Sequence, residues 1–141
     1  MSLDAATGAL TYDDGERLDP GTTHSAFVAS ALGALAQAFD RRETWKRYNV
    51  PARTIDGISF STTITFEGER IFSIELGRAR PGRGYEAWSL DTETEVEAAD
   101  NRWLDAALGE GRRTFPWGSA GAFFEPRSAA AMLNIRYRYD G

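Results

Sequence analysis

The stretch "GISFSTTITFEGERIFSIEL", residues 57–76, constrains this chain more than any other. Ile58, Phe60, Thr62, Ile64 and Phe66 alternate with Ser59, Ser61, Thr63 and Thr65. Successive side chains of a strand point to opposite faces, so this period describes a strand with one face buried. "EGE" turns the chain at Gly68, and "RIFSIEL" returns with Phe72, Ile74 and Leu76 on one face. A hairpin with one apolar face is not stable alone in water and needs a covering layer.

Two segments supply that layer. Phe27, Val28, Ala31, Leu32, Leu35 and Phe39 recur at helical spacing, after a start at Thr22 or Thr23 whose hydroxyl can cap free N–H groups. Gly33 lies inside this helix, where close packing against a sheet would account for it. A second helix is predicted from Asp91 to Leu108, with Val96, Ala99, Trp103, Ala107 and Leu108 as its buried stripe and Gly109 ending it. "ALTY" at 9–12 reads as a short strand, followed by a turn and the brief return "RLDPGTT". "DRRETWKRYNVPART" reads as a connection, and "YEAWSL" as either a third central strand or a bridge to the second helix. "SAGAFFE" and "MLNIRYRY" pair through "PRSA", with Leu133, Ile135, Tyr137 and Tyr139 on one face. The expected fold is α+β. A single domain over 1–141 holds an antiparallel sheet built from hairpins, with two helices packed on one face.

Composition narrows the function. The net charge of −5 argues against a nucleic-acid surface, which needs a basic footprint. With no cysteine, thiolate catalysis, disulfides and cysteine metal sites are excluded. The first residues lack a basic, then apolar, leader pattern, and no apolar run is long enough to span a membrane. A cytoplasmic protein is expected.

Four groups of residues have the composition of a site. Glu86, Asp91, Glu93, Glu95, Glu97 and Asp100 form an acidic run at the second helix. The glycine-containing pattern of a calcium loop is absent and no histidine accompanies the run, so no metal or other cofactor is expected. These acids suit the positive end of the helix dipole, or a contact surface for a basic protein. Glu93, Glu95, Glu97 and Asp100, with Trp88 nearby, are the candidate partner-binding residues. Arg78, Arg80 and Arg83 in "GRARPGRG" are the candidate anion site, although the P-loop lysine is absent and Pro81 interrupts the loop. Solvated loop charges, or salt bridges to the acidic helix, are the plainer reading. His24, beside Ser25, raises a nucleophile–base pair, but neighbours on one helical turn rarely meet in the required geometry. A solvent-facing residue at the helix start is expected there. Trp117 in "FPWG" reads as a core plug rather than a stacking surface.

Taken together, "GERLDPGTTHSAFVAS", the central hairpin, "NRWLDAALG", "FPWGSAGAFFEPRS" and "LNIRY" resemble small bacterial α+β proteins of the immunity type, encoded beside polymorphic secreted toxins. Glu125 stands where that pattern would carry Asp. The resemblance implies a non-enzymatic protein that neutralises a cognate toxin by covering it, and it carries over no active-site residues. The alternative is a small-ligand-binding or enzymatic α+β domain, its pocket lined by Trp88, Trp117 and the loop arginines.

Overall fold

The computed structural model describes residues 2–41, 44–80, 89–126 and 129–139. In chain order its elements are β1 (Leu10–Thr11), β2 (Arg17–Leu18), α1 (His24–Ala29), α2 (Ala31–Leu35), β3 (Gln37–Arg41), β4 (Trp45–Ile55), β5 (Ile58–Glu67), β6 (Arg70–Arg78), α3 (Leu90–Leu108), β7 (Thr114–Phe115), β8 (Gly118–Glu125) and β9 (Ala130–Tyr137). Seven strands form one sheet in the order β3-β4-β5-β6-β9-β8-β7, each pair antiparallel, while β1 and β2 form a small second sheet. The α+β expectation holds in this coarse form, with three helices where two were expected.

The central hairpin keeps the predicted phase up to one bulge. Thr65 pairs with Ser73 but Phe66 pairs with Ile71, so Phe72 is an extra residue. A bulge shifts the side-chain alternation beyond it. Ile71 therefore enters the core, and Phe72, expected beside Ile74 and Leu76, turns to the other face against Trp45 and Arg136.

The segment read as a connection is instead the longest strand. β4 pairs with β3 on one side and β5 on the other. Its register shifts between Val50 and Arg53, around Pro51, which has no N–H to give to a ladder. β3 ends opposite Asn49, so Pro51 faces no strand on that side. The strand escapes the period-two test because its solvent face and its edge are rich in charge.

The first helix is broken in two. Thr23 caps α1, accepting from the Ala26 N–H, and Ser30 then adopts an extended conformation and caps α2 through the Gly33 N–H. A side chain at Gly33 would meet the Phe27 carbonyl oxygen at 1.9 Å. The glycine thus serves the close approach of the two short helices, not packing on the sheet. Phe27 still fills the core, touching Tyr48 and Phe66, but Phe39 lies in β3 and is exposed.

α3 starts one residue before the predicted Asp91, with Ser89 accepting from the Thr92 N–H at 3.0 Å. It links β6 to β7 on the far edge of the sheet, passing against β8 and β9. Trp103 meets Phe60, and its indole N–H donates to Asp56 at 2.9 Å. The register places Tyr48, Ile64, Ile74, Ile135 and Ala120 in one row, on the face that α1 and α3 cover. Residues 3–18 close the end of this core. Tyr12 bonds Thr62 at 2.6 Å, Tyr137 donates to the Gly8 carbonyl at 2.6 Å, and Trp117 donates to the Ala5 carbonyl at 2.8 Å. Burial lifts the Tyr12 phenol to about 12. Gly118, at φ 145, passes so near Arg136 that a side chain would lie 2.0 Å from its carbonyl oxygen. That approach explains the Trp-Gly step.

Phe60 and Trp103 are both buried in this core. Truncating either to Ala should cost about 3–5 kcal/mol, the usual range for large aromatics. Denaturant midpoints measure it, and wild-type midpoints for both variants would contradict the packing described.

Candidate functional site

Among the described residues, the candidate site residues from the acidic helix and the arginine loop meet each other. Arg80 grips the Glu93 carboxylate with two donors: its Nε reaches Oε2 at 3.0 Å and its Nη2 reaches Oε1. Arg80 Nη2 also donates to the Ala131 carbonyl at 2.8 Å, and Glu93 Oε1 accepts from the Ala131 N–H at 2.8 Å. The reason lies in the sheet. The β6–β9 ladder runs from Ser73↔Arg136 to Leu76↔Leu133 and stops there. Ala131 is the next β9 residue with backbone groups facing β6, and it is fully buried. Its N–H and C=O need partners, and the ion pair takes the place of the missing strand.

Two turns further along α3, Asp100 accepts from Arg78 Nε at 2.8 Å, and the Arg78 guanidinium lies 5.4 Å from the Phe60 ring centre. Asp100 is 0% exposed and Glu93 2%. Their titrations move in opposite directions. The Arg80 hydrogen bonds, chiefly, hold the Glu93 carboxyl below its usual range against the cost of its burial. Burial, chiefly, pushes Asp100 up in spite of Arg78. The geometry explains the contrast. Glu93 has a forked guanidinium and a backbone N–H, whereas Asp100 Oδ2 is buried with no hydrogen-bond partner among the described residues.

These contacts correct the expected binding surface. Glu93 and Asp100 are taken from solvent by Arg80 and Arg78, and the same pairing uses up two arginines of the expected anion site. Glu95 is exposed and Glu97 half-buried, off the buried stripe. Trp88 and Arg83 lie outside the described residues, as does most of "YEAWSL". The expected ligand pocket is not assembled from its described members. Trp117 is buried, stacked on Phe115 and against Tyr137, while Arg78 and Arg80 are bound to carboxylates. Among the described residues, no three His, Asp or Glu side chains are grouped as metal ligands, and no helix is long and apolar enough to cross a membrane.

His24 also departs from expectation. Its side chain is 13% exposed, because α1 lies against β4 and β5. Nε2 is 2.7 Å from the Tyr48 hydroxyl, Nδ1 is 3.6 Å from Glu69, and the ring meets Phe66 edge-on. Ser25 does not pair with His24; its hydroxyl donates to Glu69 at 2.6 Å. The Ser25 bonds, chiefly, hold the Glu69 carboxyl below its usual range. The cluster ties α1 to the β5–β6 turn and presents no nucleophile–base pair.

The opposite face of the sheet was not anticipated from the sequence. Arg47, Thr65, Ser73, Arg136, Ser119 and Thr114 form one row across six strands, and Asn49, Thr63, Glu75, Asn134 and Gly121 form the next. At one end of the first row stands an aromatic and arginine strip. Arg47 lies over Phe39 at 4.8 Å, Trp45 meets Phe72 edge-on at 5.0 Å, and Arg136 lies over Phe72 at 4.8 Å. Trp45 remains 37% exposed. The bulges at Phe39 and Phe72 bring these rings to the surface, and strict alternation hides bulges.

The buried pairs predict a distinctive acid response. Removing Glu93 leaves the Arg80 charge without its carboxylate and the Ala131 N–H without its acceptor, so Glu93→Ala should lose about 3–5 kcal/mol near neutral pH. Glu93 contributes fully above its unfolded pKa of about 4.3, and the contribution fades as pH falls through the lower folded value. The gap between wild type and Glu93→Ala should therefore narrow in acid. Asp100 acts in reverse, because ionising it costs the fold stability as pH rises from about 3.9 through its raised value. Asp100→Asn, which keeps an acceptor for Arg78, should lose less than Glu93→Ala. Urea unfolding across a pH series measures all three, and equal losses that do not change with pH would contradict the account.

Compared with known proteins, the chain matches no family model, no curated protein and no solved structure.

Proposed function

We propose that this chain is a non-enzymatic, cytoplasmic protein-binding module that neutralises a cognate bacterial toxin by covering it, and that its docking surface is the open face of the large sheet. One observation carries the surface assignment: Trp45, Phe39, Arg47, Phe72 and Arg136 lie together on that face, outside the core. Exposed tryptophan and arginine are the residues that anchor protein interfaces most often. Arginines stacked on rings lose less side-chain freedom on binding than unrestrained ones. The flanking Asn49, Thr63, Thr114, Ser119, Asn134 and Gly121 leave room for a partner's side chains and offer hydrogen bonds at a rim.

The buried charges support the same reading from the other side. Arg78 with Asp100 and Arg80 with Glu93 form two ion pairs whose carboxylates are buried inside the fold. A cavity of about 450 Å³ between α2, β4 and β5 is lined by Leu35, Gln37, Asn49, Pro51, Ser61 and Thr63 among others, and by no titratable side chain. The toxin itself rests on the family resemblance. Glu95, with Asp91 beside it, remains at the surface on the helix side of the sheet, away from the open face.

The test is co-expression with the protein encoded beside this chain, followed by binding kinetics and toxicity assays. Trp45→Ala should weaken binding by about 2 kcal/mol, roughly 30-fold, with an unchanged melting temperature. Reversing Glu95 and Glu97 to Lys, on the helix side of the sheet, should leave the dissociation rate unchanged. Wild-type affinity for Trp45→Ala would remove the sheet face from the interface. Failure to bind or neutralise any neighbouring product would refute the immunity reading.

A further inference from the structure

β8 has a free edge. β7 covers only its beginning, through Thr114↔Ser119 and Phe115↔Gly118, and the Ala120 N–H donates to the Arg113 carbonyl at 3.0 Å. That bond fixes the parity of the strand: backbone groups of Ala120, Ala122 and Phe124 face away from β9. The far side agrees, because Ala131, opposite Phe124, turns its own groups toward Arg80 and Glu93. Beyond Ala120 the outward N–H and C=O of Ala122 and Phe124 meet no strand among the described residues. Edge strands are normally blunted by lysine, proline or a bulge. Here "GAFF" runs without a bulge and apolar up to Glu125 and Pro126, with Phe124 41% exposed.

We propose that this edge pairs with the same edge of a second copy of the chain, around a two-fold axis at Phe123. Antiparallel pairing in that register sets Ala122 opposite Phe124 of the second copy, and the reverse. The outward N–H and C=O groups of both residues, in both copies, are then satisfied by four hydrogen bonds. Size matches as well, since each exposed Phe124 ring lies beside the small Ala122 of the other chain. Charge matches at the ends of the pairing. Gly121 comes opposite Glu125 of the second copy, and no side chain occupies the space above Gly121. A cavity of about 430 Å³ there is lined by Arg136 and Asn134, and by Arg113, whose guanidinium also holds Asp105; it receives that glutamate beside Arg136. The pairing joins two seven-stranded sheets edge to edge and doubles the open face. It buries less than the roughly 1,600 Å² of a standard interface, so the dimer is concentration-dependent. An isologous strand pair is the simplest closed way to cover such an edge.

The chain has no cysteine, which gives a direct probe. Facing residues in a non-hydrogen-bonded antiparallel pair have Cα atoms about 4.5 Å apart, within the span a disulfide bridges. Phe123→Cys should therefore oxidise to a covalent dimer, while Ser119→Cys, shielded by β7, should not. Sedimentation of the wild-type chain should show the mass rising toward twofold with concentration. Ala122→Pro removes only an outward N–H, so it should keep the circular dichroism of the fold and lose the dimer. A wild-type chain that stays monomeric into the millimolar range would overturn the proposal and leave the edge to an extended segment of another protein. A dimer that survives Ala122→Pro, or equal crosslinking of both cysteine variants, would overturn it too.

Discussion

The structure depends on how one buried residue of the last strand finds its hydrogen bonds. Ala131 sits past the point where β6 stops pairing with β9, and both of its inward groups would be unsatisfied in the core. An orphaned buried backbone group costs about 1–3 kcal/mol. Arg80, from the loop after β6, and Glu93, from the first turns of α3, meet that need together. One ion pair thereby completes a ladder and fastens both ends of the β6–α3 crossover to the sheet. Arg78 and Asp100 add a second tie two turns along. With α3 held there, Trp103, Leu104 and Leu108 fall over the sheet and complete the core.

Much of this was legible in the residues, and the misses have physical causes. The central hairpin, α3 and the last hairpin have one clean period each. β3 and β4 do not, because bulges at Phe39 and near Pro51 break the alternation and arginines crowd the solvent side. The division of α1 from α2 was hidden because Ser30 and Gly33 do not disturb the apolar spacing. The buried acids could have been found. Glu93, Val96, Asp100, Trp103 and Ala107 are spaced by three and four, one helical stripe, whereas Glu95 and Glu97 fall off it. Two acids on an apolar stripe call for cationic partners inside the fold, and Arg78, Arg80 and Arg83 precede them in the adjoining loop. Treating the acidic run as one surface obscured that distinction.

The division of charge also shapes the functional proposal. Charges that looked available for a ligand or a partner hold the fold together, and the surface with interface character is the other side of the sheet. That face is polar and small in its rows, with rings brought up at two bulges. An antiparallel sheet leaves such a face whenever its helices all lie on the other side. The aromatic and arginine strip is what distinguishes it from an ordinary solvated face.

The central claim is that Glu93 and Arg80 act as the missing strand for Ala131. Amide hydrogen exchange at Ala131 tests it most directly. In the wild-type chain this amide should exchange only with global unfolding, as fast or as slowly as Leu133 within the ladder. In Glu93→Ala, under conditions where the fold persists, Ala131 should exchange through local opening while Leu133 keeps its protection. Protection at Ala131 that is unchanged by the loss of Glu93 would contradict the account.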